Sequence, residues 1–565
     1  MRVLKLGLCA VLAGHRALAQ ASGDGLYARD GKGQPVSWWV ALKLPMQARR
    51  GSADAPIDDT PCDCPPPTCT GLDTELRDFR ARATGLCYLY ADSNTPTLRH
   101  FREIGYECLG QGGDDPLSQT LRQIQNNRTD GDVYWALFND QLNGISQTPG
   151  MNGGDNKTVC SGGDLFSAHA KGAVGFDATS GGFYLQTSTP NFPDPSIVRA
   201  SREDKFIPLG CQRDNNVKFA QHVFAMSLEM PTLNQLGQSL QAARLCSGNF
   251  YHGLNASLAS ANLYRDGKDP ERNANFSDIF HALLDPQLPV KEESPTITVP
   301  FRSIDHSGRK TDVFKPLPAE QPLVELDTTT SNENVTIIVK TPRAAVPPWA
   351  LVAQTLRSDM SVASWWDGSF GIPNICAGDD FKQAANHFCL DNAAHGVVLN
   401  DDGTARYNIE NLVEASWAMD SGTEQIWWHL VGGTRKDSNH AKWGLTTPRN
   451  GSAQATYVTF ADLNMEGFPC SRACNGSQAG RGGSFISLPS IPLHKSFVNS
   501  LGIRACPCVA STTSDESYTS LRMCHFGCWH KLEKHFEPAD LPQMSHSASS
   551  YWLKNDTRAT QIRID

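Results

Sequence analysis

Two short stretches decide the fold: Ser167-Ala168-His169-Ala170-Lys171-Gly172 and Ser438-Asn439-His440-Ala441-Lys442-Trp443-Gly444. In each, a His-x-Lys step leads into a strand-like segment, a turn and a second strand-like segment. An asparagine then follows the histidine by 22 residues in the first copy and by 24 in the second, at Asn191 and Asn464. This weak internal repeat indicates the same structural unit used twice.

The spacing of the two residue types suggests a chemistry. Alternate residues of a strand share a face, so His169 and Lys171 point into one site, as do His440 and Lys442. An ammonium group neutralises the non-bridging oxygens of a phosphodiester, while an imidazole attacks phosphorus or donates a proton. Two copies therefore supply a nucleophile and an acid, and no metal or cofactor is required. A single His-x-Lys pair would carry little weight, because chance and solvated strand ends produce many.

Around the repeat, strand-like and helical patterns alternate. Short aromatic and β-branched runs at 36–42, 133–138, 183–185 and 425–431 predict buried strands. Residues 217–245 predict a strand that gives way at Pro231 to an amphipathic helix. With 565 residues, of which 40% are hydrophobic and 19% charged, the chain is neither disordered, collagen-like nor a coiled coil. The fold class is mixed α/β.

A change in composition divides the chain. Pro-rich and charged pieces between 264 and 348 predict a surface insertion rather than a second core. The predicted organisation follows in order: a signal peptide at 1–19, a first half at 20–263, the insertion at 264–348, a second half at 349–505, and a disulfide-tied C-terminal extension at 506–565.

The N-terminus resembles a secretory signal. A basic start precedes an apolar run at 6–13, and Ala17-Leu18-Ala19 offers a cleavage site before Gln20. The alternative is a buried N-terminal helix, because His15 and Arg16 interrupt the apolar stretch. No later segment has about 18 uninterrupted apolar residues, so no membrane span is expected.

Cysteines and glycosylation sequons agree with the secretory route. Without Cys9 in the predicted signal, sixteen of the 17 cysteines remain, an even number that suits disulfides in an oxidising compartment. Metal binding by the cysteines near 62–69 or by the Cys/His cluster at 524–530 is the less favoured alternative. Eight Asn-x-Ser/Thr sequons predict N-glycans at Asn127, Asn156, Asn255, Asn275, Asn334, Asn450, Asn475 and Asn555.

Charge gives a weaker indication. The formal net charge is −9 at pH 7 with neutral histidines, and the chain has 16 His. Their protonation at low pH would let an acidic protein approach a polyanion more easily. Net charge that serves solubility alone is the simpler interpretation, and charge by itself favours it.

Several ordered motifs resemble one family. The segment GQPVSWWVALKLP at 33–45 looks like the mature N-terminal strand of the deoxyribonuclease II family. FNDQ at 138–141, HAKG at 169–172 with GGF at 181–183 and PNFP at 190–193, HAKW at 440–443, DLN at 462–464 and RGG at 481–483 are similar to that family in the same order. The resemblance extends from about Gly33 to Leu488, interrupted by 264–348.

The resemblance implies a phospholipase-D-like fold, in which two similar halves with mixed sheets form a pseudo-dimer around one active site. It implies an acid endonuclease that cleaves DNA without a divalent cation, leaves 3′-phosphate ends and works in lysosomes or secretions. Catalytic roles are carried over to His169, Lys171, His440 and Lys442, and phosphate-orienting roles to Asn191 and Asn464. Spacing does not settle which histidine attacks; we assign His169 as nucleophile and His440 as acid.

Two other functions fit the same residues. The superfamily chemistry also suits a phosphodiesterase or phospholipase acting on lipid headgroups, and a DNA-binding protein could keep the fold without catalysis. For the tryptophan pairs at 38–39 and 427–428, each within an apolar run, core packing is favoured over stacking on nucleobases. The pair at 365–366 fits either role. Asp177, six residues after Lys171, either holds an active-site hydrogen bond or ends a strand. One neutral and one protonated imidazole predict a bell-shaped pH profile with an acidic optimum.

Overall fold

The structure is a computed structural model. It describes residues 25–52, 55–59, 64, 86–126, 133–139, 168–177, 180–190, 219–243, 295–302, 304, 334–342, 346–365, 374–378, 400–402, 404–419, 424–430, 432, 437–447, 456–465, 481–505 and 508.

Strands dominate these residues, with a few short helices between them. The strands are β1 Ala28–Arg29, β2 Pro35–Val36, β3 Trp38–Lys43, β4 Gln47–Arg50, β5 Ile57–Asp59, β6 Tyr88–Asp92, β7 Arg99–His100, β8 Val133–Asn139, β9 Lys171–Asp177, β10 Gly182–Thr187, β11 Gln221–Leu228, β12 Thr296–Pro300, β13 Asn334–Lys340, β14 Asp359–Ala363, β15 Ile409–Met419, β16 Glu424–His429, β17 Trp443–Thr447, β18 Tyr457–Ala461, β19 Gly483–Pro489 and β20 Ile503–Ala505. The helices are α1 Pro116–Asn126, α2 Met230–Ala243, α3 Pro348–Leu356 and α4 Ile491–Lys495, and a π-helical turn at Ser496–Ser500 continues α4.

Most strands belong to two sheets. The seven-stranded sheet has the order β7-β6-β3-β11-β10-β9-β8. The eleven-stranded sheet has the order β12-β13-β19-β18-β17-β14-β15-β16-β4-β5, with β20 beside β15. The β14–β15 pair is parallel, whereas the pairs that flank the His-x-Lys motifs are antiparallel. The predicted mixed α/β class is therefore confirmed.

The predicted strands are present, and most of their described side chains fill the core, although Gln425 and Trp427 of β16 are partly exposed. All residues of β3 and β11 are buried, and Phe224 of β11 stacks on Phe460 of β18 with ring centroids 5.0 Å apart. The amphipathic helix is α2, which buries Leu233, Leu236 and Leu240 on one face. One hydrophobic cluster joins residues of both sheets, so their relative placement is fixed by the core.

The two sheets contain the same strand order. β3-β11-β10-β9-β8 in the first matches β13-β19-β18-β17-β14 in the second. Along the chain, α1 lies between β3 and β8, and α3 lies at the same place between β13 and β14. Helix α2 follows β11, and α4 correspondingly follows β19. The His-x-Lys motifs enter β9 and β17, which occupy the same place in the two sets. The sequence repeat therefore corresponds to a repeated topology.

The stretch predicted as a surface insertion differs from that expectation where it is described. β12 and β13 both lie within 264–348, and β13 pairs with β19 inside the large sheet. Val335, Ile337 and Val339 of β13 are buried. The β-branched run at 334–340 supplies a core strand, which the Pro-rich and charged residues on either side obscure in the sequence. β4 and β5, from the predicted first half, also join the large sheet.

Two disulfides confirm the oxidised state of part of the cysteine set. Cys64 bonds to Cys108, which favours the disulfide interpretation over metal binding at that residue. Cys376 bonds to Cys508 across 132 residues, so the start of the predicted C-terminal extension is tied to the second half. The Cys/His cluster at 524–530 lies outside the described residues.

Candidate active site at the junction of the two sheets

The two His-x-Lys segments meet the opposite repeat through matching backbone contacts. The His169 N–H donates to the Gly482 carbonyl at 2.9 Å, and the His440 N–H donates to the Ala220 carbonyl at 2.8 Å. Gly482 directly precedes β19 and Ala220 directly precedes β11, so the two contacts occupy equivalent places. Paired contacts of this kind are expected between two similar units related by a two-fold axis.

Each imidazole is oriented by a carbonyl from the opposite repeat. The Nδ1 atom of His169 lies 2.7 Å from the Asp462 carbonyl oxygen, and Nδ1 of His440 lies 2.8 Å from the Ser188 carbonyl oxygen. A carbonyl oxygen only accepts hydrogen bonds, which assigns the proton to Nδ1 in both rings. In the neutral form of each ring the lone pair is then on Nε2, the nitrogen that can attack or accept a proton.

The two lysines are buried beside their histidines, as strand alternation predicts. The Lys171 Nζ lies 3.5 Å from Nε2 of His169. The Lys442 Nζ donates to the His440 carbonyl oxygen at 2.9 Å and lies 3.3 Å from its Nδ1. Both lysines are at most 1% exposed. An ammonium group buried to this extent is a strong binding site for an anion.

The four residues lie close enough for the charges of three of them to act on the fourth, His440. Burial lowers the pKa of His440 well below its usual range, and the positive charges of Lys442, Lys171 and His169 lower it further. The structure thus brings together residues separated by more than 250 positions in the sequence. The excess of positive charge suits a phosphodiester anion.

A carboxyl group lies on the His169 side of the site. Asp462 accepts hydrogen bonds from the backbone N–H and the hydroxyl of Ser484, at 2.8 and 2.7 Å. Burial raises the pKa of Asp462 to about 6, although these bonds and the nearby charge of Lys171 oppose the shift. Sequence reasoning gave Asp462 no role beyond the family resemblance.

Polar residues missed by the sequence analysis surround His440. The Gln221 Oε1 lies 3.2 Å from Nδ1 of His440 and accepts from the Ser188 hydroxyl at 2.6 Å. The Lys442 backbone N–H donates to Nδ1 of His222 at 3.1 Å. Burial, followed by the charge of Lys442, lowers the pKa of His222 well below its usual range. Nothing in their spacing distinguishes Gln221 and His222 from ordinary strand residues.

Comparison with known proteins identifies the family of the chain. The sequence profile of the family described as Deoxyribonuclease II matches residues 77–504. The chain belongs to the deoxyribonuclease II family. It is also similar to the protein named Deoxyribonuclease-2 of Caenorhabditis elegans, with 24% identity over 187 residues. That alignment covers 30% of this chain and 39% of the relative, so the chain spans well under half the length of the curated protein it matches.

The other residues predicted for the site of this deoxyribonuclease II family member have different outcomes. Asn464 is 2% exposed and lies two residues after Asp462. Asn191 lies outside the described residues. Asp177 ends β9, where it accepts a hydrogen bond from the Ser180 backbone at 2.6 Å, which favours the strand-end interpretation.

The tryptophans of the three pairs differ in burial. Trp38, Trp39 and Trp428 are buried in the core, as predicted, whereas Trp427 is partly exposed, which differs from the prediction. Trp365 is partly exposed, and its ring lies 5.9 Å from the His440 ring, tilted by 56°. The described residues that form or pack against the hydrophobic cluster do not include Trp365. It therefore belongs to the wall of the site rather than to the core, whereas Trp366 lies outside the described residues.

A buried charged cluster supports the segment that leads to His440. The Arg49 guanidinium lies 2.8 Å from Nε2 of His429, and Nδ1 of His429 lies 3.0 Å from the Asp437 carboxylate. A guanidinium only donates, so His429 donates through Nδ1. Asp437 is three residues before His440, which ties this segment to β4 and β16.

The described part of the chain has no helix that is long and apolar enough to cross a membrane. Within the same residues, no three His, Cys, Asp or Glu side chains are grouped closely enough to hold a metal ion.

Proposed function

We propose that this protein is an acid endonuclease that hydrolyses DNA phosphodiester bonds without a divalent cation and leaves 3′-phosphate ends. The observation that carries the proposal is the meeting of two His-x-Lys pairs in one buried cationic site, with each Nδ1 held by a carbonyl. Membership of the deoxyribonuclease II family supports DNA as the substrate. The matching strand orders and crossed contacts support a phospholipase-D-like pseudo-dimer.

In the first step, His169 acts as the nucleophile. Lys171 and Lys442 bind the non-bridging oxygens of the scissile phosphate and neutralise their charge. The unprotonated Nε2 of His169 attacks phosphorus and forms a P–N bond. The bond from phosphorus to the 5′ oxygen breaks, and Nε2 of His440 gives its proton to that oxygen.

In the second step, water replaces the histidine. His440, now neutral, takes a proton from water, and the oxygen attacks phosphorus. The P–N bond breaks, which restores His169 and leaves the phosphate on the 3′ oxygen of the product. Asn464 and Asn191 orient the phosphate oxygens through their amide N–H groups.

The surroundings of His440 connect this scheme with an acidic optimum. Burial, followed by the charges of Lys442 and Lys171, lowers the pKa of His440, and a protonated His169 would lower it further. A general acid with a lowered pKa is protonated only in acidic solution, so cleavage is lost as pH rises through that pKa, below the usual value for histidine of about 6.5. Binding of the anionic phosphate favours the protonated form and opposes this loss.

A secretory route, ending outside the cell or in a lysosome-like organelle, fits an enzyme of this kind. The signal-like N-terminus, the sequons and the two disulfides support it. Asn334, in one of the sequons, is exposed at the start of β13, where a glycan can be attached.

The test is cleavage of supercoiled plasmid at pH 5 in excess EDTA by wild type, His440→Ala and His169→Ala. Wild type is expected to cleave, and either variant to lose activity by at least about 10³-fold, in the range of general acid and nucleophile removal. His494→Gln is the matched control, because His494 donates to the Thr446 carbonyl at 2.8 Å outside the site and glutamine keeps a donor.

Other results would select a different function. Folded wild-type protein that leaves plasmid intact from pH 4 to 7 contradicts the proposal. Headgroup release from phospholipid vesicles would then indicate a lipid phosphodiesterase. Salt-sensitive DNA binding that is unchanged in His169→Ala would indicate a binding protein.

A further inference from the structure

Two lysines outside the phosphate site occupy equivalent places in the two repeats. Lys43 is the last residue of β3, and Lys340 is the last residue of β13. These strands match each other in the repeated strand order. Both side chains are at most 1% exposed, and burial lowers the pKa of both, that of Lys340 to about 7. Burial of a lysine costs free energy, and both repeats nevertheless have a buried lysine at this position.

Each lysine makes two hydrogen bonds that have a counterpart in the other repeat. The Lys43 Nζ donates to the Phe219 carbonyl at 2.5 Å and to the carbonyl of the next residue, Leu44, at 3.3 Å. The Lys340 Nζ donates to the Arg481 carbonyl at 2.8 Å and to the carbonyl of its own next residue at 3.2 Å. Phe219 and Arg481 precede the two residues whose carbonyls receive the histidine N–H groups.

One peptide group therefore connects Lys43 to the His440 segment. Its carbonyl, from Phe219, accepts from Lys43, and its N–H, from Ala220, donates to the Ser438 carbonyl at 2.9 Å. The Ala220 carbonyl then accepts the His440 N–H at 2.8 Å. Fixing this peptide plane fixes the backbone on which His440 is carried.

The other repeat has the corresponding connection. The Arg481 carbonyl accepts from Lys340, and the Gly482 carbonyl accepts the His169 N–H at 2.9 Å. A side chain at Gly482 would place Cβ 1.8 Å from the Ala243 carbonyl oxygen at the end of α2. The end of α2 therefore closely confines the backbone at Gly482, and Lys340 holds the carbonyl of the preceding residue.

We propose that Lys43 and Lys340 are positioning residues, Lys43 aligning His440 and Lys340 aligning His169. The inference rests on the proposed function for its kinetic consequences, but its structural part stands apart from catalysis. Small displacements of a reacting group cost large factors in rate, about 10²-fold for 1 Å.

The test compares Lys43→Met and Lys340→Met, which keep the length of the side chain and remove its donor. Two substrates distinguish the role of His169 from that of His440. A DNA oligonucleotide needs both, because its leaving 5′ oxygen requires protonation. Thymidine 3′-(4-nitrophenyl) phosphate needs only the nucleophile in the first step, because its nitrophenolate leaves without a proton. Lys43→Met is expected to lower kcat on DNA by about tenfold while the first-step burst on the nitrophenyl ester stays within about twofold of wild type. Lys340→Met is expected to lower both. Lys32→Met, an exposed lysine that bonds to Gly105 and Asp114, is the control.

A second measurement tests the positions of the two histidines and does not depend on catalytic activity. In protein labelled with ¹⁵N-histidine, the backbone amide signal of His440 should shift in Lys43→Met and not in Lys340→Met, and that of His169 should behave in the opposite way. Amide signals unchanged in both variants overturn the inference, whether or not the protein cleaves DNA. Equal losses on both substrates in both variants, with a lowered thermal midpoint, also overturn it, since they indicate a purely structural role.

The remaining outcomes are distinct. A mirrored pattern, in which Lys340→Met spares the nitrophenyl ester, supports positioning and exchanges the roles of the two histidines. Wild-type protein that cleaves neither substrate contradicts the proposed function, and the amide shifts still decide the positioning.

Discussion

The surroundings of His169 and His440 share their backbone and differ in their side chains. In both, Nδ1 contacts a carbonyl that directly follows a strand of the opposite repeat, from Asp462 or Ser188. On the His169 side that residue brings a carboxyl group near Lys171. On the His440 side it brings a hydroxyl, and Gln221 and Trp365 lie close by. A duplicated backbone thus places two equal histidines, and the unequal side chains around them allow unequal roles.

The largest expected difference between the two sides is in the covalent step. With thymidine 3′-(4-nitrophenyl) phosphate, His440→Ala should form the P–N bond but lack the base for hydrolysis. It should therefore release one nitrophenolate per protein in a burst and then turn over about 10²-fold to 10⁴-fold more slowly than wild type. His169→Ala should give no burst. Mass spectrometry of the quenched protein measures the adduct.

An adduct that accumulates in His169→Ala and is absent from His440→Ala would exchange the two roles. Bursts in both variants would contradict the division of work between the histidines.

A smaller effect is expected from substitution of Trp365, which lies on the His440 side of the site. Trp365 is partly exposed beside the His440 ring, so we expect its face to stack on a nucleobase next to the scissile phosphate. Loss of one base–aromatic stack costs about 1–3 kcal/mol, so Trp365→Leu should raise KM for single-stranded DNA about tenfold, with Trp365→Phe close to wild type.

The control is Trp427→Leu, which removes a partly exposed tryptophan from β16, three strands away from β17. An oligonucleotide without bases beside the cleaved phosphate should be cut equally by wild type and Trp365→Leu. If the variant loses the same factor on that substrate, Trp365 acts on His440 and not on the base.

The smallest effect concerns the carboxyl on the His169 side, and it depends on pH. Burial raises the pKa of Asp462 to about 6, so the group is largely neutral at pH 5 and acquires its charge above pH 6. Asp462→Asn should match wild type at pH 5. Above pH 6, where wild type has an extra negative charge near Lys171, the variant should keep a severalfold higher kcat/KM for DNA.

The check is kcat/KM against pH from 4 to 8 for both proteins. Parallel curves would mean that the Asp462 charge does not reach the phosphate site. A large loss at pH 5 would mean that the substitution displaces the carbonyl that holds His169.

Local patterns made part of this structure predictable. The apolar run at 36–42 and the leucines of α2 form the strand and the helix expected of them. Alternation along a strand places Lys171 beside His169 and Lys442 beside His440. The same method failed for β13, a core strand inside a region judged by its average composition. It also missed the crossing of β4 into the large sheet, because strand pairing over several hundred residues leaves no local mark.

The sequence by itself determined which residue types are repeated, the strands that carry them and, through several ordered motifs, the family. Only the tertiary structure decided that the two copies meet in one site. It also decided that Asp462, Gln221 and His222 lie around the histidines, and that Lys43 and Lys340 lie behind them. The physical reason is the range of the forces involved. Side-chain alternation is fixed within a few residues of backbone, whereas the meeting of the two repeats depends on a shared hydrophobic core and on crossed hydrogen bonds between distant segments.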